Sequence, residues 1–66
     1  MSIAKVIEVI GSSDKSFEDA IQQAVKKAGE SIRGINGVDV IGQKVIVKND
    51  KIVEYRVVLK VDFTLE

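Results

Sequence analysis

The side chains able to do chemistry in this chain are few in kind. Its 66 residues include ten Lys+Arg and ten Asp+Glu but no His and no Cys. That removes thiolate and imidazole zinc sites and both Cys/His and Ser/His/Asp nucleophilic catalysis. Serines, carboxylates and amines remain, with no group to pass a proton near neutral pH, so the expectation is a protein that is not an enzyme. Arg56 stands mid-way along an alternating segment, with Glu54 and Val58 on its own face. A planar guanidinium can stack on a heterocycle and grip a phosphate or carboxylate, or it can pair with Glu54 or a neighbouring subunit. Lys26, Lys27 and Arg33 form a modest basic patch that could hold a phosphate-bearing ligand or be a plain solvated surface. Glu18 and Asp19 are adjacent, so on a helix they point apart and serve its positive end rather than acting as a carboxylate pair.

These groups need elements to position them. Ile3 to Ile10 is rich in β-branched residues and runs into the turn formers Gly11-Ser12-Ser13-Asp14, which predicts a strand and a loop. From Phe17 the period changes: Phe17, Ala20, Ile21, Ala24, Val25, Ala28 and Ile32 fall on one helical stripe. Ser16 is placed to cap that helix and Gly34 to stop it, with Lys26 and Glu30 as an i,i+4 pair on the outer face. Gly29 within the helix allows either a close backbone approach or merely a weak spot. Val38 to Lys48 and Lys51 to Leu65 read as a long hairpin turning at Asn49-Asp50, both tolerant of left-handed backbone. Strand, helix and long hairpin in this order make the fold class α+β.

A two-residue turn sets the hairpin register, placing Val40 opposite Leu59, Val38 opposite Val61 and Ile46 opposite Val53 on the helix side, with Lys44 opposite Tyr55 the exception. The second face then carries Gly37, Asp39, Ile41, Gln43, Val45 and Val47 beside Ile52, Glu54, Arg56, Val58, Lys60 and Asp62. Five of those twelve are bulky aliphatics, and one helix covers one side of a sheet only. The second face is thus expected to meet other subunits or a ligand, in an assembly whose isolated monomers need not fold. One domain, 1–66, is all this length allows. A net charge of zero supplies no field for nucleic acid or an anionic membrane, and no apolar run approaches the twenty or so residues of a spanning helix. A small cytoplasmic homo-oligomer is the expected class.

Lys5-Val6-Ile7-Glu8, Gly11-Ser12-Ser13, Ser16-Phe17-Glu18-Asp19-Ala20, Tyr55-Arg56-Val57 and Lys60-Val61-Asp62-Phe63-Thr64-Leu65, in this order and spacing, resemble the dodecin family over nearly the whole chain. The resemblance implies a β-α-β-β fold in which a curled three-stranded antiparallel sheet wraps its helix, and twelve copies in a hollow shell of cubic symmetry. It also implies binding of riboflavin or FMN for storage without turnover. In that family a tryptophan early in the second strand stacks on the flavin, and a glutamine in the third hydrogen-bonds the ring edge. The matching positions here are Gly37 and Arg56, and the chain has no Trp. Gln43, assigned to the same face, is a third candidate ligand-binding residue. The Tyr55-Arg56 pair and the missing tryptophan are similar to the calcium dodecin branch, which implies a hard-cation site; with no EF-hand loop and scattered acidic residues, it would have to form between subunits at a symmetry axis. Asp39 and Asp62 are its candidate ligands, set against an alternative in which Asp39 pairs with Lys60 and Asp62 is simply solvated.

Overall fold

The computed structural model describes residues 3–65; residues 1, 2 and 66, the ends of the expected domain, lie outside them. Strand β1 (Ile3–Ser13) leads to helix α1 (Phe17–Gly29), followed by β2 (Ile35–Lys48) and β3 (Lys51–Leu65). The three strands form one antiparallel sheet in the order β1-β3-β2. Among the described residues no helix is long and apolar enough to cross a membrane.

The core is the meeting of two periodicities. Ala20, Val57, Leu59 and Val61 are fully buried, and Ile7, Val9, Phe17, Ile21, Ala24, Ile35 and Val38 pack around them. Phe17 meets Tyr55 edge to face with ring centroids 5.2 Å apart, a favoured arrangement of aromatic quadrupoles. The helix start follows the expectation: Ser16 Oγ accepts from the Asp19 backbone N–H at 3.0 Å. So does the turn, where Asn49 and Asp50 both take positive φ (52° and 61°) and so match the right-handed strand twist of a two-residue hairpin.

Four expectations are corrected. Strand β1 does not end at Ile10, because Gly11, Ser12 and Ser13 pair with Val57, Arg56 and Tyr55; a long partner strand overrides turn propensity. Gly11 is what lets the helix lie so close, since a Cβ there would sit 2.8 Å from both Ala20 O and Ala24 Cβ. The helix ends at Gly29 rather than near Gly34, with the Ser31 and Ile32 N–H groups closing on Ala28 O. Gly34, at φ 78°, instead turns the chain into β2, where its carbonyl accepts from Thr64 N–H at 3.1 Å. Around Gly29 a Cβ would meet nothing within 4 Å, so no backbone approaches it. The surface ion pair is Lys27–Glu30 at 3.5 Å, not Lys26–Glu30.

The fourth correction is the hairpin register. Asn36 and Ile41 are extra residues in β2, and Val53 is an extra residue in β3. The expected pairs Val38–Val61 and Val40–Leu59 form, but between the bulges pairing slips by one. Val45 lies opposite Tyr55, Lys44 opposite Arg56, Gln43 opposite Val57 and Ile46 opposite Glu54. A one-residue slip moves every side chain to the other face. The slip therefore takes Lys44 off the helix side and puts apolar Val45 there instead.

The helix covers β1 and β3 and leaves β2 largely uncovered. The molecule is 52 Å long by 19 Å and 13 Å, with a radius of gyration of 13.6 Å against about 10.8 Å expected for a folded domain of this length. Its accessible surface is 5049 Å², where a monomer of this mass usually exposes about 4100 Å². Ile3, Val6, Ile10, Ile41, Val47 and Ile52 are all more than half exposed.

Candidate functional site

The second face of the sheet is read in cross-strand rows, each written β1-β3-β2. The rows are Val6–Asp62–Gly37, Glu8–Lys60–Asp39, Ile10–Val58–Gly42 and Ser12–Arg56–Lys44, followed by the pair Glu54–Ile46. Opposed residues in such rows have Cβ atoms roughly 5 Å apart and interact directly. The face thus has an acidic end at Asp62, Asp39 and Glu8, an apolar centre at Ile10 and Val58, and a basic end at Arg56 and Lys44.

Of the residues expected to bind, the structure brings together Gly37, Asp39 and Asp62. Gly37 is the neighbour of Asp62, whose Oδ2 lies 3.1 Å from where a Cβ on Gly37 would sit. The carboxylate would have to give by a few tenths of an ångström to admit a side chain at 37. Asp39 faces Lys60, which has Glu8 on its other side, but the ion pairs among the described residues are Lys27–Glu30 and Arg56–Glu54, so the strands put Asp39 and Lys60 side by side without an ion pair between them. Arg56 is on the same face but six residues along β3, about 20 Å from Gly37 at the usual rise. One small ligand cannot reach both within one chain. Arg56 donates from Nε and Nη2 to Glu54 Oε2 at 2.9 and 2.5 Å, one of the two pairings open to it from the sequence. Gln43 is not with them: the register slip puts it on the helix side, opposite Val57 and exposed.

Sequence reasoning passes over a second place. An open cleft of about 480 Å³ lies where β1 enters the helix, lined in part by Ser13, Asp14, Lys15, Asp19, Gln23 and Glu54. Ser13 Oγ donates to Asp19 Oδ2 at 2.6 Å and accepts from Lys15 N–H at 2.9 Å. The bond from Ser13 is the main cause holding the Asp19 carboxyl below its usual range, with Gln23 and Lys15 adding and partial desolvation opposing. The signal for this latch is a serine at the exit of β1 and an aspartate in the first helical turn. The turn formers on either side of Ser13 hide it, because they make the end of the strand read as loop.

The donor sets can be tested against the groups that the sequence suggests. A flavin needs a flat stacking partner; the chain has no Trp, Phe17 and Tyr55 are spent on each other, and Phe63 lies on the helix side of β3 with Val61 and Leu59, opposite Lys5 and Ile35. Calcium takes six to eight oxygen ligands. The acidic end offers carboxylates, but among the described residues no cluster of three or more acidic side chains is placed to hold a metal within one chain. Oxygen chemistry fits, and the carboxylates of one chain would need waters, carbonyls or further copies to complete a calcium shell.

A family model described as Dodecin matches residues 3–66. The chain belongs to the dodecin family. Calcium dodecin from Mycobacterium tuberculosis is 38% identical over 65 residues, covering 98% of this chain and 92% of that protein. A dodecin from Thermus thermophilus is 33% identical over 64 residues, covering 97% and 93%. The crystal structure of an arginine-to-alanine mutant of Thermus thermophilus dodecin superimposes with a TM-score of 0.95 at 32% identity over 100% of this chain and 98% of that one. The crystal structure of the Mycobacterium tuberculosis calcium dodecin, described as calcium chelating with a novel calcium-binding site, does so with a TM-score of 0.86 at 37% identity over 98% and 93%. The β-α-β-β architecture of this chain is the dodecin fold.

Proposed function

We propose that this dodecin is a non-catalytic subunit of a cytoplasmic, hollow shell of twelve copies, and that its second sheet face binds a hard cation such as calcium together with neighbouring copies. The observation that carries the cation reading is a carboxylate where a stacking surface is missing: at the position where the family places its tryptophan stands Gly37, and its nearest neighbour is the Asp62 carboxylate. Asp39 and Glu8 lie one row away, so several copies meeting at a symmetry axis would bring enough oxygens together. Similarity to a calcium dodecin supports the same reading. The long shape, the excess surface and the exposed Val6 and Ile10 (55% and 69%) support an assembly that covers this face.

Calcium should raise the melting temperature by mass action, chelator should reverse the rise, and Asp62→Asn should abolish it while the assembly stays intact. Equal melting with calcium and with chelator would remove the cation reading. A flavin-storing shell is the second reading, supported by membership of the dodecin family; with Gly37 and Arg56 about 20 Å apart in one chain, its ligand would have to bridge neighbouring copies. It is checked by quenching of riboflavin fluorescence: tight binding by the wild type would favour it, and Gly37→Trp with Arg56→Gln should raise a weak affinity at least tenfold, about 1.4 kcal/mol.

A further inference from the structure

Asn36 is followed directly by Gly37, the order in which an asparagine amide is most open to attack by the next backbone nitrogen, because glycine has no side chain to shield that nitrogen. In a regular ladder the extended backbone holds the two groups apart. Here the ladder is interrupted at that place. Ile35 pairs with Phe63 and Gly37 with Asp62, so Asn36 is the unpaired extra residue of a bulge, where the strand bends and the ladder is locally disrupted. Asn36 is also exposed. Its Nδ2 donates to Thr64 Oγ1 at 2.5 Å, an exposed contact between neutral groups that water can replace. The chain's other asparagine, Asn49, precedes Asp50 in the hairpin turn, where a side chain on the following residue stands beside the nitrogen.

From this juxtaposition we infer that Asn36-Gly37 is a self-modification site, at which the chain turns a neutral amide into a carboxylate beside the acidic end of the second face. The Gly37 nitrogen attacks Asn36 Cγ; the new C–N bond closes a five-membered imide and the Cγ–Nδ2 bond breaks. The proton lost from the Gly37 nitrogen reaches the leaving nitrogen through solvent, and ammonia departs. Water then opens the imide at either carbonyl, leaving aspartate or isoaspartate. Either product adds one negative charge to a chain whose net charge is zero, next to the Gly37–Asp62 row and close to Asp39. The reaction needs only water and does not depend on the cation reading.

The test follows the assembled protein over days at mildly alkaline pH and physiological temperature, by mass spectrometry of its proteolytic peptides and by enzymatic methylation of isoaspartate. The Asn36 peptide should gain the mass of an amide-to-acid exchange in two separable forms, of which an Asn36→Asp protein supplies the aspartate standard. Conversion should be at least roughly tenfold faster than at Asn49, and within about tenfold of its rate in the same chain unfolded in guanidinium, since the bulge gives little protection. Gly37→Ala should slow it roughly tenfold by shielding the nitrogen, and Gly42→Ala, at the neighbouring bulge, should leave it unchanged. The comparison of folded with unfolded wild type needs no variant, so it stands even if Gly37→Ala disturbs the assembly. The proposal is overturned by an Asn36 peptide that converts no faster than the Asn49 peptide, by protection of Asn36 in the assembly well beyond tenfold, or by an unchanged rate in an intact Gly37→Ala assembly.

Discussion

Val58 and Leu59 are neighbours in β3, yet Leu59 is fully buried under the helix while Val58 lies on the other face between Ile10 and Gly42. The helix side is closed by this chain's own residues: Ala20 from the helix and Val57, Leu59 and Val61 from β3 are sealed from solvent, and Gly11 is bare so that the helix can settle. The second face mixes charge with aliphatics, and among the described residues no helix or strand lies over it. One face is closed by the chain's own elements; the other is left open by them, and the proposed binding groups lie on it.

This contrast can be broken at its strongest point. Leu59→Ala should destabilise the protein by about 2–5 kcal/mol in denaturant unfolding, because the cavity is enclosed by its own chain. Val58→Ala should cost less and show its effect as a dependence of the melting temperature on protein concentration. A concentration-independent loss as large as that of Leu59→Ala would mean that the second face is already part of the monomer's core. Gly11→Ala should come next, at about 1–3 kcal/mol, as the added carbon forces the helix off the sheet. Gly42→Ala, where the space is open, should lose far less.

Smaller effects sharpen the helix side. Ser16→Ala should cost about 1 kcal/mol through loss of the cap on Asp19 N–H. Gly29→Ala should gain up to about 1 kcal/mol, since no atom approaches it and Ala is the better helix former. The Ser13–Asp19 latch has a definite sign. Asp19 titrates below its unfolded value, so its contribution is fully present above the usual carboxylate pKa of 3.8 and is lost as pH falls through the lower folded value. Acid unfolding of Ser13→Ala should accordingly begin at a higher pH than in the wild type. Superimposable acid curves would leave that bond without energetic weight.

The elements are legible where one pattern rules. The unbroken alternation from Tyr55 to Phe63 gives the buried strand its faces, and the stripe from Phe17 to Ala28 gives the helix its inner side. Asn49-Asp50 marks the turn. The bulges at Asn36, Ile41 and Val53 have no such mark, because a bulge answers to the twist and partner of a strand rather than to its own residues. That is why a straight register assigns Gln43 and Lys44 to each other's faces. Lys44 opposite Tyr55 is the single discord in that register, and it is the trace of the slip. The proposed site is only half legible for a different reason: the structure sets Gly37 beside Asp62 with Asp39 one row away, but a sequence read one chain at a time shows nothing of what neighbouring copies would add.

The central claim is that the second face is buried between copies, and light scattering coupled to size exclusion tests it most directly. Twelve chains of 7.2 kDa should appear as a particle of about 86 kDa at micromolar concentration. Val58→Glu should dissociate it by forcing a charge into the contact, and Lys27→Glu on the outer helix face should leave it whole. A folded wild-type monomer of 7.2 kDa under the same conditions would contradict the account.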